Sequence, residues 1–199
     1  MMLPLLLLAL APLVSAEPLK QDERNRVMSH LHATRKQFLD ALAKVSDAQW
    51  HWKPAPGKWS VAEVAEHIAL SEENLGAMIR KMVKGPAAAA EKLAAVKGKE
   101  EKMLAGMVDR SQKAQAPEML KPVKRWKTKA DLVAFFKEKR DANIAYAERT
   151  DDELRTRLLP HPAFGDLDLY QWLFLISGHA ERHTLQIREV QGLAGYPRK

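Results

Sequence analysis

The segment Gly178-His179-Ala180-Glu181-Arg182-His183 carries two imidazoles four residues apart. On a helix such positions share a face, with Cβ atoms roughly 6 Å apart, a spacing at which two imidazoles can grip one metal ion. The segment lies in the apolar run from Leu169 to Val190. Advancing about 100° per residue, Trp172, Leu173, Leu175, Ile176, Ile187 and Val190 fall on one arc with Leu169, and His179 and His183 lie inside it. A histidine facing a core needs a partner for each ring nitrogen, which an ion and a hydrogen-bond acceptor together supply. Core histidines are also common as ordinary hydrogen-bonded residues, so the pair needs a third ligand before it makes a site. Glu181 is the second intervening residue, not the first, so the H-E-x-x-H arrangement with its adjacent general base is absent.

The elements that must position this pair read as helices. Val27, Leu31, Phe38, Leu42 and Val45 recur at helical spacing and predict a first helix over about 19–45. His30 sits near its apolar stripe as a core-edge residue, and His32 points to solvent. Asp47 to Trp59 reads as a loop, with Trp50, Trp52 and Trp59 plugging one end of the molecule. Ser60-Val61-Ala62-Glu63 is a capping box that starts a second helix reaching about Lys84, with His67 on the margin of its stripe. From Gly85 to about Lys127 the periodicity fades, giving a long crossover expected to hold only a short helix without a clear apolar face. Thr128 and Asp131 open a third helix to about Arg149, with Asn143 and Tyr146 as polar groups on its inner side, either lining a pocket or buried and satisfied. Leu158 to Asp166 reads as a loop, and Asp168 with Gln171 caps the last helix, which ends near Gly192. The expected fold is all-α, a four-helix bundle with a long crossover between the second and third main helices.

Composition narrows the chemistry. With 199 residues, 46% of them hydrophobic, one domain with a sizeable core is expected. There is no cysteine, so a disulfide, a thiol nucleophile and thiolate ligands are excluded and any metal site must use nitrogen and oxygen donors. The formal charge is +7, with a denser basic patch at Lys121, Lys124, Arg125, Lys127 and Lys129. Trp126 is a single aromatic within it, not an interleaved stripe, and no nucleic-acid motif is recognisable, so the patch reads as a solvated surface and no nucleic-acid partner is expected. Leu3 to Val14 is a short apolar block, and Val14-Ser15-Ala16 before Glu17 matches a signal-peptidase site, although no basic residue precedes the block. Residues 1–16 are therefore expected to be a signal peptide and 17–199 the mature domain, secreted or periplasmic. The block is too short to span a bilayer comfortably, so no stable membrane insertion is expected after cleavage.

Pro54-Ala55-Pro56-Gly57-Lys58-Trp59-Ser60-Val61-Ala62-Glu63-Val64-Ala65-Glu66-His67, followed about a hundred residues later by Phe164-Gly165, an apolar run and Gly178 to Ile187, resembles the DinB / YfiT-like family of bacterial metal-binding bundles. The similarity covers roughly residues 22–193. It implies that His67, His179 and His183 together hold a divalent ion, zinc or nickel, inside the bundle. Three neutral imidazoles leave a fourth coordination place free, the arrangement of catalytic rather than structural ions. Such a place acidifies a water or holds an anionic nucleophile such as a thiolate.

The leading expectation is an exported metal-dependent hydrolase acting on an unidentified small molecule. Relatives imply a second chemistry, metal-assisted thiol transfer, which export disfavours because those thiols are mainly intracellular. A non-catalytic ligand-binding or stress-response bundle, and a metal-free module whose histidines are only core residues, stand beside these. No catalytic base is assigned. Glu63 and Ser71 flank His67 by one turn and Gln186 follows His183, but Glu63 is already used in the capping box. Self-association as a homodimer is left open.

Overall fold

The computed structural model describes residues 17–111, 113 and 115–198. In chain order the helices are α1 (Gln21–Leu42), the short α2 (Asp47–His51), α3 (Val61–Met82), α4 (Ala90–Val96), α5 (Glu100–Val108) and α6 (Lys129–Arg149). A hairpin of β1 (Leu158–His161) and β2 (Gly165–Asp168) then leads into α7 (Leu169–Gln191). The expected signal peptide falls on residues 1–16, outside the described residues. Among the described residues no helix is long and apolar enough to cross a membrane.

The long helices begin where the polar side chains can satisfy their first amides. The Ser60 hydroxyl accepts from the Glu63 amide and the Glu63 carboxylate accepts from the Ser60 amide. Asp168 and Gln171 make the same reciprocal pair at α7, and Thr128 accepts from the Asp131 amide at α6. The four long helices pack in a ring in the order α1, α7, α3, α6, so that α1 and α3 lie across a diagonal from each other. This is a four-helix bundle, as expected.

Its core divides into two apolar clusters. One gathers Leu31, Ile79, Tyr170, Leu173 and Phe174, and the other Phe38, Ile68, Phe136 and Ile187. Between them lies a polar layer that periodicity does not announce. Arg140 on α6 is fully buried and forms an ion pair with the buried Glu72 on α3. It also donates to the Leu31 carbonyl at 2.6 Å and the Thr34 hydroxyl at 2.7 Å on α1. Asn143, expected as a pocket-lining or a satisfied buried group, is the latter: it donates to the Glu72 carbonyl at 3.1 Å and accepts from Arg80. Gly76 is required beside it, because a Cβ there would come 2.1 Å from Asn143 Oδ1. Tyr146 donates to Asp152 at 2.7 Å and takes no part in a pocket with the histidines.

Three expectations are corrected. The stretch 85–127 holds more than the one short helix expected, because α4, α5 and a 3₁₀ turn at Glu118–Leu120 occupy it. Helix α5 buries Met103, Leu104 and Met107 against α7, where Gly178 lets Leu104 and Met107 approach closely. An apolar face of three residues is too short for periodicity to reveal. The loop expected at 158–166 is an antiparallel hairpin pairing Leu158 with Asp168 and His161 with Gly165. Its two prolines concealed it, yet a two-stranded ribbon has open edges where a missing N–H is tolerated, and Gly165 supplies the left-handed turn at φ 68°. Finally, Asp47–His51 is a helical turn capped by Ser46, not a loop.

Removing one member of a buried ion pair leaves the other charge uncompensated, at about 3–5 kcal/mol. Arg140→Met is expected to lower the unfolding free energy by that order in denaturant titrations, and an Arg140→Met/Glu72→Leu double variant to recover much of the loss. A single variant within about 1 kcal/mol of the parent, the usual net worth of one hydrogen bond, would contradict this account of the layer.

Candidate metal centre

His67 is carried by the second turn of α3, and His179 and His183 by successive turns of α7, the two helices that share the most extensive contact in the bundle. The structure brings all three together: one ligand nitrogen from each lies within 4.8 Å of the others. Ring centroids are 4.4 Å apart for His67 and His183, 4.4 Å for His179 and His183, and 4.8 Å for His67 and His179. The Nε2 atoms of His67 and His179 stand 3.1 Å apart. His67 is buried, whereas His179 and His183 are partly exposed, so the cluster opens to solvent on the α7 side.

The outward nitrogens fix the tautomers. His67 Nδ1 lies 2.8 Å from the Leu120 carbonyl, which can only accept, so Nδ1 carries the hydrogen and Nε2 presents a lone pair. His183 Nδ1 lies 2.8 Å from Gln186 Oε1 in the same sense. Gln186, noted as a flanking residue, thus orients a ring. Burial lowers the pKa of all three: His67 below the ordinary histidine value, His179 well below it, and His183 down to about 3. For His179 and His183 the neighbouring imidazoles add a smaller push in the same direction, as do the Arg182 and, for His183, Arg110 guanidiniums. The imidazoles are therefore neutral donors at physiological pH.

The donor set fits a divalent ion. Three imidazole nitrogens at 2.0–2.1 Å from a tetrahedral ion stand about 3.4 Å from one another, close to the 3.1 Å of the His67 and His179 pair. Neutral rings whose outer nitrogens are hydrogen-bonded, as those of His67 and His183 are, suit such a site. Trp59 lies against the His67 ring at 5.2 Å, so one of the tryptophans expected only to plug the bundle also walls the cluster.

Other residues considered from the sequence lie elsewhere or are already engaged. Glu63 is held by Lys53 at 2.7 Å as well as by its capping role. Ser71 donates to the His67 carbonyl at 2.8 Å. His30 packs edge-on against Phe174 at 5.1 Å, at the other cluster, and His32 is exposed. Leu120 was missed because a backbone acceptor has no signature in sequence. A surface cleft of about 460 Å³ is lined by Asp40, Lys44, Gln49, Arg188 and Tyr196 among others and by none of the three histidines, so donor chemistry rather than concavity marks the site.

A helical bundle with three converging imidazoles from two of its helices is the class that fold and site define. The family model described as the DinB superfamily matches residues 30–187, and the chain belongs to that superfamily. It is 31% identical over 170 residues to YuaE, an uncharacterised protein of Bacillus subtilis (strain 168), covering 82% of this chain and 96% of YuaE. The solved structure of YfiT from Bacillus subtilis, described as a probable metal-dependent hydrolase with an unusual four-helix bundle topology, matches with a TM-score of 0.57 at 18% identity over 94% of each chain. At that identity the match speaks for the fold.

The lowered histidine pKa values have a definite sign. Between the unfolded value near 6.5 and the folded value of about 3 for His183, the unfolded chain binds protons that the folded chain refuses, so stability present above pH 6.5 is lost as pH falls. Metal-free protein is expected to lose unfolding free energy progressively below pH 6.5, and His183→Gln to show a shallower loss, in urea titrations at stepped pH. Identical slopes for the two proteins would contradict the burial of a neutral His183.

Proposed function

We propose that the chain binds a divalent ion, zinc or nickel, through His67, His179 and His183 and works as a metal-dependent hydrolase. One observation carries this reading: three neutral imidazoles from two helices have ligand nitrogens within 4.8 Å of one another and face a partly exposed side. When bound, such an ion supplies Lewis acidity, lowering the pKa of a water or polarising a carbonyl at its free coordination place.

The chain's own residues do the rest. The Leu120 carbonyl and Gln186 hold hydrogens on the outer nitrogens of His67 and His183, keeping their lone pairs turned inward. Trp59 keeps water from one face of His67. The positive charges of Arg182 and Arg110 add to the preference for a neutral His183. On this reading residues 1–16 export the protein, and a place of action outside the cytoplasm favours hydrolysis over transfer of intracellular thiols. The description of YfiT as a probable metal-dependent hydrolase supports the same class of reaction.

Protein purified without a histidine tag is expected to carry close to one equivalent of zinc or nickel, and a His179→Ala/His183→Ala variant to carry almost none. Metal-loaded protein is expected to cleave some members of a panel of esters and amides, with activity lost on chelation and restored by the ion. Unchanged metal content in the double variant would refute the ligand set. Hydrolysis that survives complete metal removal would refute the mechanism.

A further inference from the structure

Glu66 precedes His67 on α3, is only 4% exposed, and belongs to no part of the donor set. Its carboxylate accepts three consecutive backbone amides, from Val123 at 3.0 Å, Lys124 at 3.0 Å and Arg125 at 2.9 Å. Successive amides converge on one anion only where the chain curls into a concavity. Lys124 provides that curl at φ 60°, the one non-glycine with positive φ among the described residues. A lysine is strained in that left-handed conformation, and three charge-assisted hydrogen bonds to a buried carboxylate offset the strain.

The anchored turn leads directly to the histidine cluster. Three residues before Val123 stands Leu120, whose side chain is buried and whose carbonyl receives His67 Nδ1 at 2.8 Å. Residues 117–125 thus form a strap fastened to adjacent positions of α3: the Glu66 side chain grips its far end, and its near end sets the His67 ring. Arg125 adds a separate tie, pairing with Glu73 at 2.9 Å and lying over the Phe135 ring. That tie keeps the strap near the bundle if the Glu66 grip is lost, but it does not fix the Leu120 carbonyl.

We propose that Glu66 is a positioning residue for the metal centre, holding the strap so that the Leu120 carbonyl fixes the tautomer and direction of His67. The inference rests on the ligand set proposed above. Outer acceptors of this kind are worth about 10- to 100-fold in metal affinity, and this one lies on a strap that Glu66 holds through three amides.

The test approaches the strap from both sides. Glu66→Gln removes the anion, and Lys124→Pro removes one amide and forbids positive φ at an exposed position outside the bundle core. Lys124→Gly keeps the curl and is the control. Co²⁺ is the probe, read by its visible ligand-field spectrum and by competition with Zn²⁺, and the His67 tautomer is read from ring ¹⁵N resonances of metal-free protein. Glu66→Gln and Lys124→Pro are expected to bind Co²⁺ about 10- to 100-fold more weakly, with the His67 resonances shifting from one fixed tautomer toward a mixture. Lys124→Gly is expected to match the parent. Folded variants with parental affinity, or with weakened affinity and an unchanged tautomer, would overturn the proposal. If Glu66→Gln does not fold, Lys124→Pro decides. Should the parent itself take up no Co²⁺, the ligand set fails, and an unchanged tautomer in the variants would still separately overturn the strap's role.

Discussion

Three imidazoles packed against one another inside a bundle are tolerable only while none is charged. Two would otherwise repel at ring separations of 4.4–4.8 Å in a poorly solvated place. The structure meets this constraint by burial, which lowers all three pKa values, and by carbonyl acceptors that take the outer hydrogens of His67 and His183. The outcome gathers one ligand nitrogen from each ring around a common point. Such an arrangement is poor packing for its own sake, and a cation at that point converts mutual repulsion into coordination.

The remaining architecture keeps α3 and α7 in the register that this cluster requires. The Glu72 and Arg140 layer ties α3 to α6 and α1 with directional bonds at the midpoint of the core, where apolar contacts alone would let helices slide. At the start of α7, Arg155 reaches Asp168, Glu100 and Glu23 at 2.6–2.9 Å and joins the α7 cap to α5 and α1. Helix α5 then presses Leu104 and Met107 onto Gly178, one residue before His179. Each device restrains one of the helices that carry the ligands, and none of them contributes a donor.

Much of this was legible in the residues. Capping pairs at Ser60 and Asp168 located two helix starts, and the stripe of Val27, Leu31, Phe38, Leu42 and Val45 marked a face that is indeed buried. His179 and His183 stood out because helical spacing puts them on one face. His67 gave no such signal alone, and only the resemblance to a known family joined it to the pair. The hairpin, α5 and the strap over His67 were illegible for physical reasons. Two prolines masked the strands, three apolar residues make too short a periodicity, and the Leu120 carbonyl and the three amides bound by Glu66 belong to the backbone, which sequence does not distinguish from position to position. Arg140 was hidden by its type, since a fully buried arginine is found only where partners from several helices converge.

The central claim is that residues 67, 179 and 183 form one coordination sphere. X-ray absorption at the metal edge of zinc- or nickel-loaded protein, combined with an anomalous difference map of crystals of the same sample, tests it most directly. The account predicts one anomalous peak between α3 and α7 and a first shell containing three imidazole nitrogens at about 2.0–2.1 Å. A peak elsewhere, or a shell dominated by oxygen without imidazole scattering, would contradict it.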